Sequence, residues 1–272
     1  MMVLGIISDE RALKSKSPAM HNAVMRRHGI RGTYVPFQVR PDRVGDAVRG
    51  LPALGITGVN VTVPYKESVM PHLDELSVEA EAIGAVNTIA CREGRLIGFN
   101  TDAAGFADTL FEAGFEAGER GAIVVGTGGA AKAVLWVLRE AGARPLLLAG
   151  RDARRTAELA GTVTAEAIAL DDLPRRVGEA ELLVNATTAS SRAESADLAD
   201  RASGLDGSGL KLVLDLNYGR SDNFWQILAR KHRAVFMDGL AMLAHQARRS
   251  FAIWTGRDLG PDDFKAGLRE DS

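Results

Sequence analysis

The sequence predicts an α/β protein built around a largely parallel sheet and organised as two successive α/β units. Short apolar segments of strand character alternate with segments of helical spacing along the chain. A glycine-rich turn near the middle of the chain joins one such strand directly to a helix. The length of 272 residues is compatible with two domains of ordinary size.

The first half of the chain begins with a short apolar strand and ends with two short strands around the turn at residues 92–94. Ser17 suits a helix N-cap and Pro18 suits the first helical turn, while Pro64 stops the third strand. The predicted strands of this half span residues 2–8, 33–39, 58–63, 85–91 and 95–99. The predicted helices span residues 17–28, 43–54 and 79–83.

The second half repeats the alternation of strands and helices. Residues 189–209 are polar and rich in Ala and Ser, which indicates a surface loop or a short helix. The predicted strands of this half span residues 122–125, 145–149, 182–185 and 210–215. The predicted helices span residues 103–113, 131–141 and 242–255.

Composition excludes several classes of protein. The 33 Lys and Arg residues nearly balance 35 Asp and Glu, which argues against nucleic acid or an anionic membrane as the main partner. No apolar run is long enough for a membrane span, and the N-terminus lacks the basic start of a signal peptide. Cys91 is the only cysteine and the histidines are dispersed, so no disulfide and no metal site are expected. We expect a cytoplasmic enzyme or small-molecule binder that is a monomer or a homodimer.

Residues 126–130, with the sequence Gly-Thr-Gly-Gly-Ala, form a turn between a buried strand and a helix. Glycines let the backbone approach a pyrophosphate, and the helix N-terminus offers free N–H groups and the positive end of the helix dipole. A tight turn without a ligand would also use glycine, but the clear strand and helix on either side favour dinucleotide binding. The predicted cofactor residues of the turn are therefore Gly126, Thr127, Gly128, Gly129 and Ala130.

The segment after the next strand bears on which dinucleotide is bound. An acidic residue at the tip of this strand would accept from the ribose of NAD and repel the extra phosphate of NADP. Here the strand ends at Gly150 and is followed by Arg151, Asp152, Arg154 and Arg155. The arginines favour NADP(H). Asp152 could instead neutralise an arginine or bind the ribose of NAD(H), so NAD(H) stays possible.

Four polar motifs of the first half follow apolar strands, at the strand ends where ligand sites of α/β sheets lie. Each residue also has an ordinary structural explanation. Ser17 and Asp102 could be only helix caps, Asn87 could form a turn, and Lys66 could be a solvated surface lysine. The motifs are Ser-Lys-Ser-Pro at 15–18, Asn-Val-Thr-Val-Pro-Tyr-Lys at 60–66, Ala-Val-Asn-Thr at 85–88 and Asn-Thr-Asp at 100–102.

Taken together with motifs of the second half, the series resembles the shikimate/quinate dehydrogenase superfamily over nearly the whole chain. The resemblance implies a reversible, NADPH-dependent reduction of 3-dehydroshikimate to shikimate in aromatic amino-acid biosynthesis. The matching segments are SKSPAMHN (15–22), NVTVPYKE (60–67), GAVNT (84–88), NTD (100–102), GTGGA (126–130), NAT (185–187), Asp215 with Tyr218, and DGLAMLAHQA (238–247).

The resemblance implies roles for individual residues. Lys66 would carry the proton chemistry beside Asp102. The substrate carboxylate and ring hydroxyls would be held by Ser15, Ser17, Tyr218, Thr62, Asn87 and Gln246. The 2′-phosphate of the cofactor would be held by Arg151 and Arg154, and its nicotinamide side would be lined by Thr187, Leu216, Gly239 and Met242.

A lysine beside a carboxylate suits the implied chemistry. Hydride delivery to a ketone leaves an alkoxide that needs a proton, and a fixed ammonium can supply that proton and stabilise the developing charge. Neutral donors and acceptors select a polyhydroxylated acid, because an analogue that lacks a hydroxyl leaves buried groups unpaired.

The sequence departs from the family pattern in several loops. The segment at 8–14 lacks the usual Gly-Asn-Pro-Ile and His, and Gly-Arg-Asp at 150–152 replaces Asn-Arg-Thr. Ser190 replaces a Gly, while Arg220 and Asn223 replace a Pro and a Thr. Two alternatives therefore stay open: a quinate or dual-specificity paralogue that uses NAD(H), and a metabolite-binding regulator with little catalysis. Ser17 favours shikimate over quinate, and the retained catalytic pair favours an enzyme.

The expected architecture has two domains. A substrate-binding α/β domain would comprise residues 1–101 plus 239–272, and a Rossmann-like NADP-binding domain would comprise residues 102–238. The ligands would meet in a cleft between them, and its closure would exclude water from the hydride transfer.

Overall fold

The computed structural model describes residues 1–269. The chain divides into two compact units: the first comprises Met1–Gly105 and the chain from Leu243 onward, and the second comprises Phe106–Met242. The domain boundaries expected from the sequence, after residues 101 and 238, each lie four residues earlier. The expected C-terminal segment runs to residue 272, and its last three residues lie outside the described part. No helix of residues 1–269 is long and apolar enough to cross a bilayer.

The first unit is built on a mixed six-stranded sheet. Its strands are Met2–Ser8 (β1), Gly32–Gln38 (β2), Gly58–Val61 (β3), Glu75–Leu76 (β4), Thr88–Arg92 (β5) and Arg95–Phe99 (β6). They lie in the order β2-β1-β3-β5-β6-β4. Strand β1 pairs in parallel with β2 and β3, whereas β5 runs antiparallel to both β3 and β6. The carboxyl ends of β1 and β3 therefore lie side by side, and the polar segments that follow them start at the same edge.

The second unit contains a fully parallel six-stranded sheet. Its strands are Ala122–Val125 (β7), Leu146–Gly150 (β8), Glu166–Ala169 (β9), Leu182–Asn185 (β10), Leu212–Asp215 (β11) and Val235–Met237 (β12). Their order, β9-β8-β7-β10-β11-β12, is that of a doubly wound dinucleotide-binding sheet. The direction of winding reverses between β7 and β10, where ligands bind in such sheets. The predicted α/β class with a Rossmann-like second domain is confirmed.

Eleven α-helices lie within residues 1–269. They are Ser17–Arg27 (α1), Val44–Gly50 (α2), Val78–Ile83 (α3), Thr101–Glu112 (α4), Gly129–Glu140 (α5), Ala153–Thr162 (α6), Leu173–Arg176 (α7), Ala196–Ser203 (α8), Phe224–His232 (α9), Gly239–Thr255 (α10) and Pro261–Arg269 (α11).

An aromatic cluster joins α1, α10 and α11 to the first sheet. Its rings are those of His21, Tyr34, Phe251, Trp254 and Phe264. The Trp254 indole N–H donates to the Ile89 carbonyl at 3.0 Å. A Cβ on Gly58 would lie 2.2 Å from that indole nitrogen, so the strand needs glycine there to let the helix approach.

Several element boundaries differ from the sequence-based prediction. Ser17 is not the N-cap of α1: Lys16 occupies that position, and the Ser17 N–H donates to the Ser15 hydroxyl at 3.2 Å. The helix predicted at 43–54 ends at Gly50, and the strand predicted at 58–63 ends at Val61. At this end β3 pairs with β5 as far as Asn60, opposite Thr88, and with β1 as far as Val61, opposite Ile7.

Candidate active site and dinucleotide site

A nearly buried ion pair lies at the edge of the first sheet. Lys66 follows β3, and Asp102 is the second residue of α4. Lys66 Nζ lies 2.6 Å from Asp102 Oδ2, and the two side chains are only 11% and 8% exposed. Within residues 1–269, Nζ has no other hydrogen-bond partner, so it can still donate to a ligand. The backbone of Lys66 is fixed because the Val86 N–H donates to its carbonyl at 2.8 Å.

The side chain of Asn87 sets the direction of Asp102. The Thr101 backbone N–H donates to Asn87 Oδ1 at 2.7 Å, which identifies the other end of the amide as its NH2 group. That group donates to Asp102 Oδ1 at 2.9 Å and lies 3.4 Å from Gln246 Oε1. Asp102 is thus held by Lys66 on one oxygen and by Asn87 on the other.

The start of α4 accounts for the Asn-Thr-Asp motif. Asn100 Oδ1 accepts from the backbone N–H groups of Asp102 and Ala103 at 3.1 and 3.2 Å, so Asn100 caps the helix. Asp102 lies in the first turn, where the positive end of the helix dipole stabilises a carboxylate. The three residues together present one charged carboxylate in a fixed direction.

A second hydrogen-bond network supports the first, and the sequence did not predict it. Asn60 Nδ2 donates to the Asn87 carbonyl at 3.2 Å and to the Ser250 hydroxyl at 3.0 Å. Asn60 Oδ1 accepts from the buried Tyr34 hydroxyl at 2.8 Å. Burial raises the pKa of Tyr34 well above its usual value, although a hydrogen bond with the Ser17 side chain lowers it. An asparagine inside an apolar strand was the only sequence signal of this network.

The other predicted substrate residues are placed differently by the structure. Ser17 is buried and reaches the Asn87 network through Tyr34 and Asn60. Gln246 lies on α10, and its NH2 group donates to the Leu243 carbonyl at 2.9 Å. Thr62 is partly exposed, and its hydroxyl has no hydrogen-bond partner among the described residues. The Ser15 hydroxyl accepts from the Ser17 N–H, and Tyr218 belongs to the second unit.

The glycine turn lies at the reversal point of the second sheet. Gly126 has φ +116°, and a Cβ there would lie 2.8 Å from the Ala186 backbone, so only glycine fits. A Cβ on Gly128, by contrast, would meet nothing within 4 Å. Gly128 is the N-cap of α5 and no side chain caps that helix. These features fit a pyrophosphate, which would accept from the uncapped N–H groups of this turn.

Of the residues predicted to line the nicotinamide side, Thr187 and Leu216 follow β10 and β11, whereas Gly239 and Met242 lie at the start of α10, after β12. Asn185 Oδ1 accepts from the N–H and the hydroxyl of Thr187 at 3.1 and 2.7 Å. A Cβ on Gly239 would lie 2.2 Å from the Leu216 carbonyl oxygen, so glycine permits this close approach. Met242 is buried at the end of the second unit.

The arginines after β8 have different partners. Arg154 pairs with Glu158 one helical turn along α6, and its side chain is 88% exposed. Arg155 donates from Nε to the Thr127 carbonyl of the glycine turn at 3.2 Å. Asp152 caps α6 by accepting from the Arg155 N–H at 3.0 Å. Arg155 was not among the predicted cofactor residues, but the structure places it against the glycine turn.

Comparison with known proteins agrees with this geometry. Three family models match successive parts of the chain: the shikimate dehydrogenase substrate binding domain at residues 10–89, shikimate/quinate 5-dehydrogenase at 108–220, and the shikimate 5′-dehydrogenase C-terminal domain at 239–263. The chain belongs to the shikimate dehydrogenase family.

Relatives within the shikimate dehydrogenase family are similar over almost their full length. A shikimate dehydrogenase (NADP+) from Rhodospirillum rubrum is 43% identical over 258 residues, which cover 92% of this chain and 90% of that protein. Shikimate 5-dehydrogenase from Thermus thermophilus, solved in complex with NADP(H) and shikimate, has a TM-score of 0.88, 32% identity and 100% coverage of both chains. Shikimate dehydrogenase from Aquifex aeolicus has a TM-score of 0.89, 29% identity and coverage of 99% and 98%.

The departures from the shikimate dehydrogenase pattern in the second unit have visible structural roles. Asn223 caps α9 and donates to the buried Asp215 carboxylate at 2.5 Å. Ser190 is fully buried, and its hydroxyl accepts from Asn217 Nδ2 at 2.9 Å. Arg220 pairs with Glu194. Each replacement therefore adds a contact of its own to the loops after β10 and β11.

Proposed function

We propose that this protein catalyses the reversible, NADP(H)-dependent interconversion of 3-dehydroshikimate and shikimate. The observation that carries the proposal is the nearly buried Lys66–Asp102 pair, whose carboxylate is held by Asn87. Membership of the shikimate dehydrogenase family supports the same reaction. The relatives that are named as NADP+-dependent support the cofactor.

Lys66 is the proton donor for ketone reduction in this proposal. As the carbonyl oxygen gains negative charge, the Lys66 ammonium would stabilise it and transfer a proton to it. In shikimate oxidation the neutral Lys66 amine would accept the hydroxyl proton. Asp102 keeps the ammonium in place and accepts from a ring hydroxyl, and Asn87 prevents the carboxylate from rotating away. The pair therefore functions as one unit.

The remaining polar residues select the substrate. Ser15 and Ser17 would donate to the carboxylate, with Tyr218 assisting, while Thr62, Asn87 and Gln246 would hold the ring hydroxyls. These groups are uncharged, so recognition would rest on matched hydrogen bonds. A ligand that lacks one hydroxyl would leave a buried group unpaired, which costs about 1–3 kcal/mol per group.

The second unit would hold the cofactor. Residues 126–130 would bind the pyrophosphate at the uncapped N-terminus of α5. Arg151 and Arg154 would hold the 2′-phosphate, together with Arg155, which contacts the glycine turn. Thr187, Leu216, Gly239 and Met242 would line the nicotinamide side. Bound NADPH supplies the hydride in the reductive direction.

Initial rates with purified protein test this function. Shikimate and quinate are each assayed with NADP+ and with NAD+, and reduced cofactor is followed by absorbance. We expect the highest kcat/KM for shikimate with NADP+. A higher value for quinate or NAD+ would instead assign a dual-specificity paralogue, and no turnover with any pair would favour the metabolite-binding alternative. We also propose that the protein is cytoplasmic. We propose that it is a monomer or a homodimer, and sedimentation tests which of these oligomeric states it adopts.

A further inference from the structure

One carboxylate joins two loops of the second unit, residues 186–195 after β10 and residues 216–223 after β11. Glu194 Oε2 accepts from the backbone N–H groups of Ser190 and Ser191 at 2.9 and 3.0 Å, both in the first loop. Glu194 Oε1 accepts from Nε and Nη2 of Arg220, in the second loop, at 3.0 and 2.8 Å. Each oxygen serves a different partner, so the side chain ties the loops together. We call the Glu194–Arg220 contact the strap.

Both ends of the strap lead to residues of the proposed site. Arg220 Nη1 donates to the Tyr218 carbonyl at 2.6 Å, which fixes the backbone that carries this ring. On the other side, Asn217 Nδ2 donates to the Ser190 hydroxyl and to the Thr187 carbonyl, each at 2.9 Å. Displacement of either loop would therefore move Thr187 or Tyr218.

The strap is more sheltered than an ordinary surface ion pair. Its side chains are 32% and 31% exposed, whereas those of the neighbouring Arg192–Asp200 pair are 63% and 64% exposed. Burial raises the pKa of Glu194, but hydrogen bonds from Ser190, Arg220 and Ser191 outweigh it and hold the pKa below its usual value. Fully exposed pairs contribute little. A partly sheltered pair with backbone hydrogen bonds on one oxygen constrains its loops more strongly.

We propose that Glu194 and Arg220 are positioning residues, which hold Thr187 and Tyr218 in the arrangement that binds nicotinamide and substrate. The inference rests on the proposed function. It also gives a reason for an unusual residue: Arg220 stands where the family pattern has a proline. Proline restricts a loop through its fixed φ angle. The strap restricts the same loop by an ion pair instead.

The strap predicts a specific kinetic signature. If the strap keeps the loops in the arrangement that binds ligands, loss of the strap lowers the fraction of molecules in that arrangement. The apparent affinity for shikimate and NADP+ then falls in proportion to that fraction. Saturating ligand restores the arrangement, and the Lys66–Asp102 pair is untouched. KM for shikimate and for NADP+ therefore increases in a strap variant while kcat is nearly unchanged. A loss of fold alone would lower the active concentration, and hence kcat, without raising either KM.

The test compares E194Q, R220Q and the double variant with the parent and with R192Q, a control in the same loop. We expect each strap variant to raise both KM values by about tenfold and to change kcat by less than about twofold. The double variant should resemble either single variant, because the two residues form one contact. R192Q should match the parent. KM values of E194Q within about twofold of the parent, or additive effects in the double variant, would overturn the proposal.

Direct binding separates this inference from the proposed function. NADP+ affinity is measured by calorimetry, and exchange of the Ser190 and Ser191 amides is measured by hydrogen–deuterium exchange. If the parent does not oxidise shikimate, the proposed function fails, yet weaker NADP+ binding and faster exchange in E194Q would still support the strap. Unchanged affinity and exchange in E194Q would overturn the strap whether or not the parent is active.

Discussion

Arg154 and Arg155 are neighbours in sequence but have different partners. Arg154 pairs with Glu158 on the exposed face of α6, whereas Arg155 contacts the Thr127 carbonyl of the glycine turn. We expect R155A to raise KM for NADP+ by about tenfold, because a charge-assisted hydrogen bond to phosphate contributes about 1.5–3 kcal/mol. R139A serves as the matched control, with an effect below about twofold, because Arg139 pairs with Glu140 at the opposite end of α5 from the glycine turn. Initial rates at varied NADP+ check this, and equal effects of the two variants would contradict the assignment.

Asp152 combines a structural and an electrostatic effect that two variants can separate. Its carboxylate caps α6, and it lies next to the arginines of the proposed phosphate site. D152S keeps a capping oxygen and removes the charge, so KM for NADP+ should fall by about threefold with stability unchanged. D152A should lower this KM equally and reduce the free energy of unfolding by about 1 kcal/mol. An unchanged KM in D152S would show that the carboxylate does not act on the cofactor phosphate.

Sequence predicts individual residues of the site when they lie in local motifs. Lys66, Asn87 and Asp102 each lie in a short polar motif next to a strand or at a helix start, and the structure joins them by hydrogen bonds. The supporting residues were missed because their partners are remote in sequence. Asn60 and Ser250, for example, are 190 positions apart, and no local pattern relates them.

At the scale of elements, two glycines of the glycine turn have different roles: Gly128 leaves room for a ligand, and Gly126 is required by the backbone. Gly128 has φ −85° and open space around its Cα, so G128A should fold normally. The added methyl group would occupy the approach to the α5 N-terminus, and we expect affinity for NADP+ to fall by about tenfold or more. G126A forces a Cβ against the Ala186 backbone at positive φ, and it should lose at least about 1–2 kcal/mol of stability. Calorimetry measures the NADP+ affinity of G128A, and urea unfolding measures the stability of G126A. Unimpaired NADP+ binding by G128A would argue against a phosphate at this turn.

The aromatic cluster contains a histidine that resists protonation. His21 stacks on Tyr34 with centroids 4.4 Å apart, and its two ring nitrogens have no hydrogen-bond partner within residues 1–269. Burial lowers the pKa of His21 from 6.5 to about 3. In the unfolded chain His21 takes up a proton below pH 6.5, whereas the folded chain resists it down to about pH 3. The contribution of His21 to the free energy of unfolding is therefore fully present above pH 6.5, and it is lost progressively as the pH falls towards 3.

H21F isolates that effect because phenylalanine keeps the stack and does not titrate. Between pH 7 and pH 4.5 the parent should lose on the order of 2 kcal/mol more free energy of unfolding than H21F does. Urea unfolding at the two pH values provides the measurement. The same pH dependence in both proteins would mean that His21 is protonated in the folded state or hydrated there.

Strands with a strong apolar pattern were predicted, whereas short edge strands and the helices α6, α9 and α11 were not. Strands β1, β7 and β10 are continuous apolar runs, and their predicted bounds agree with the structure. Strands β4, β9 and β12 were missed because they are short and have few buried side chains. Pairing with a neighbouring strand determines such segments more than their own sequence does.

At the scale of the whole molecule, the strand order of the second unit follows from the alternation of strands and helices along the chain and from the right-handedness of parallel strand connections. The first unit is less predictable, because β5 and β6 form a hairpin inside an otherwise parallel arrangement. The division into two units, with the chain returning to the first unit after residue 238, was expected from the family resemblance. The loops after β10 and β11 were the least predictable part. Their residues differ from the family pattern, so the resemblance gives no information about the contacts that these residues make.

The central claim is that this protein oxidises shikimate with NADP+ through Lys66. The most direct measurement compares kcat of the parent and of K66M, with shikimate affinity of both determined by calorimetry and K231M as a surface control. We predict that K66M lowers kcat by about 10²- to 10⁴-fold while shikimate still binds, because the proton donor is lost but the other ligand contacts remain. K231M should match the parent. Equal turnover by the parent and K66M would contradict the account.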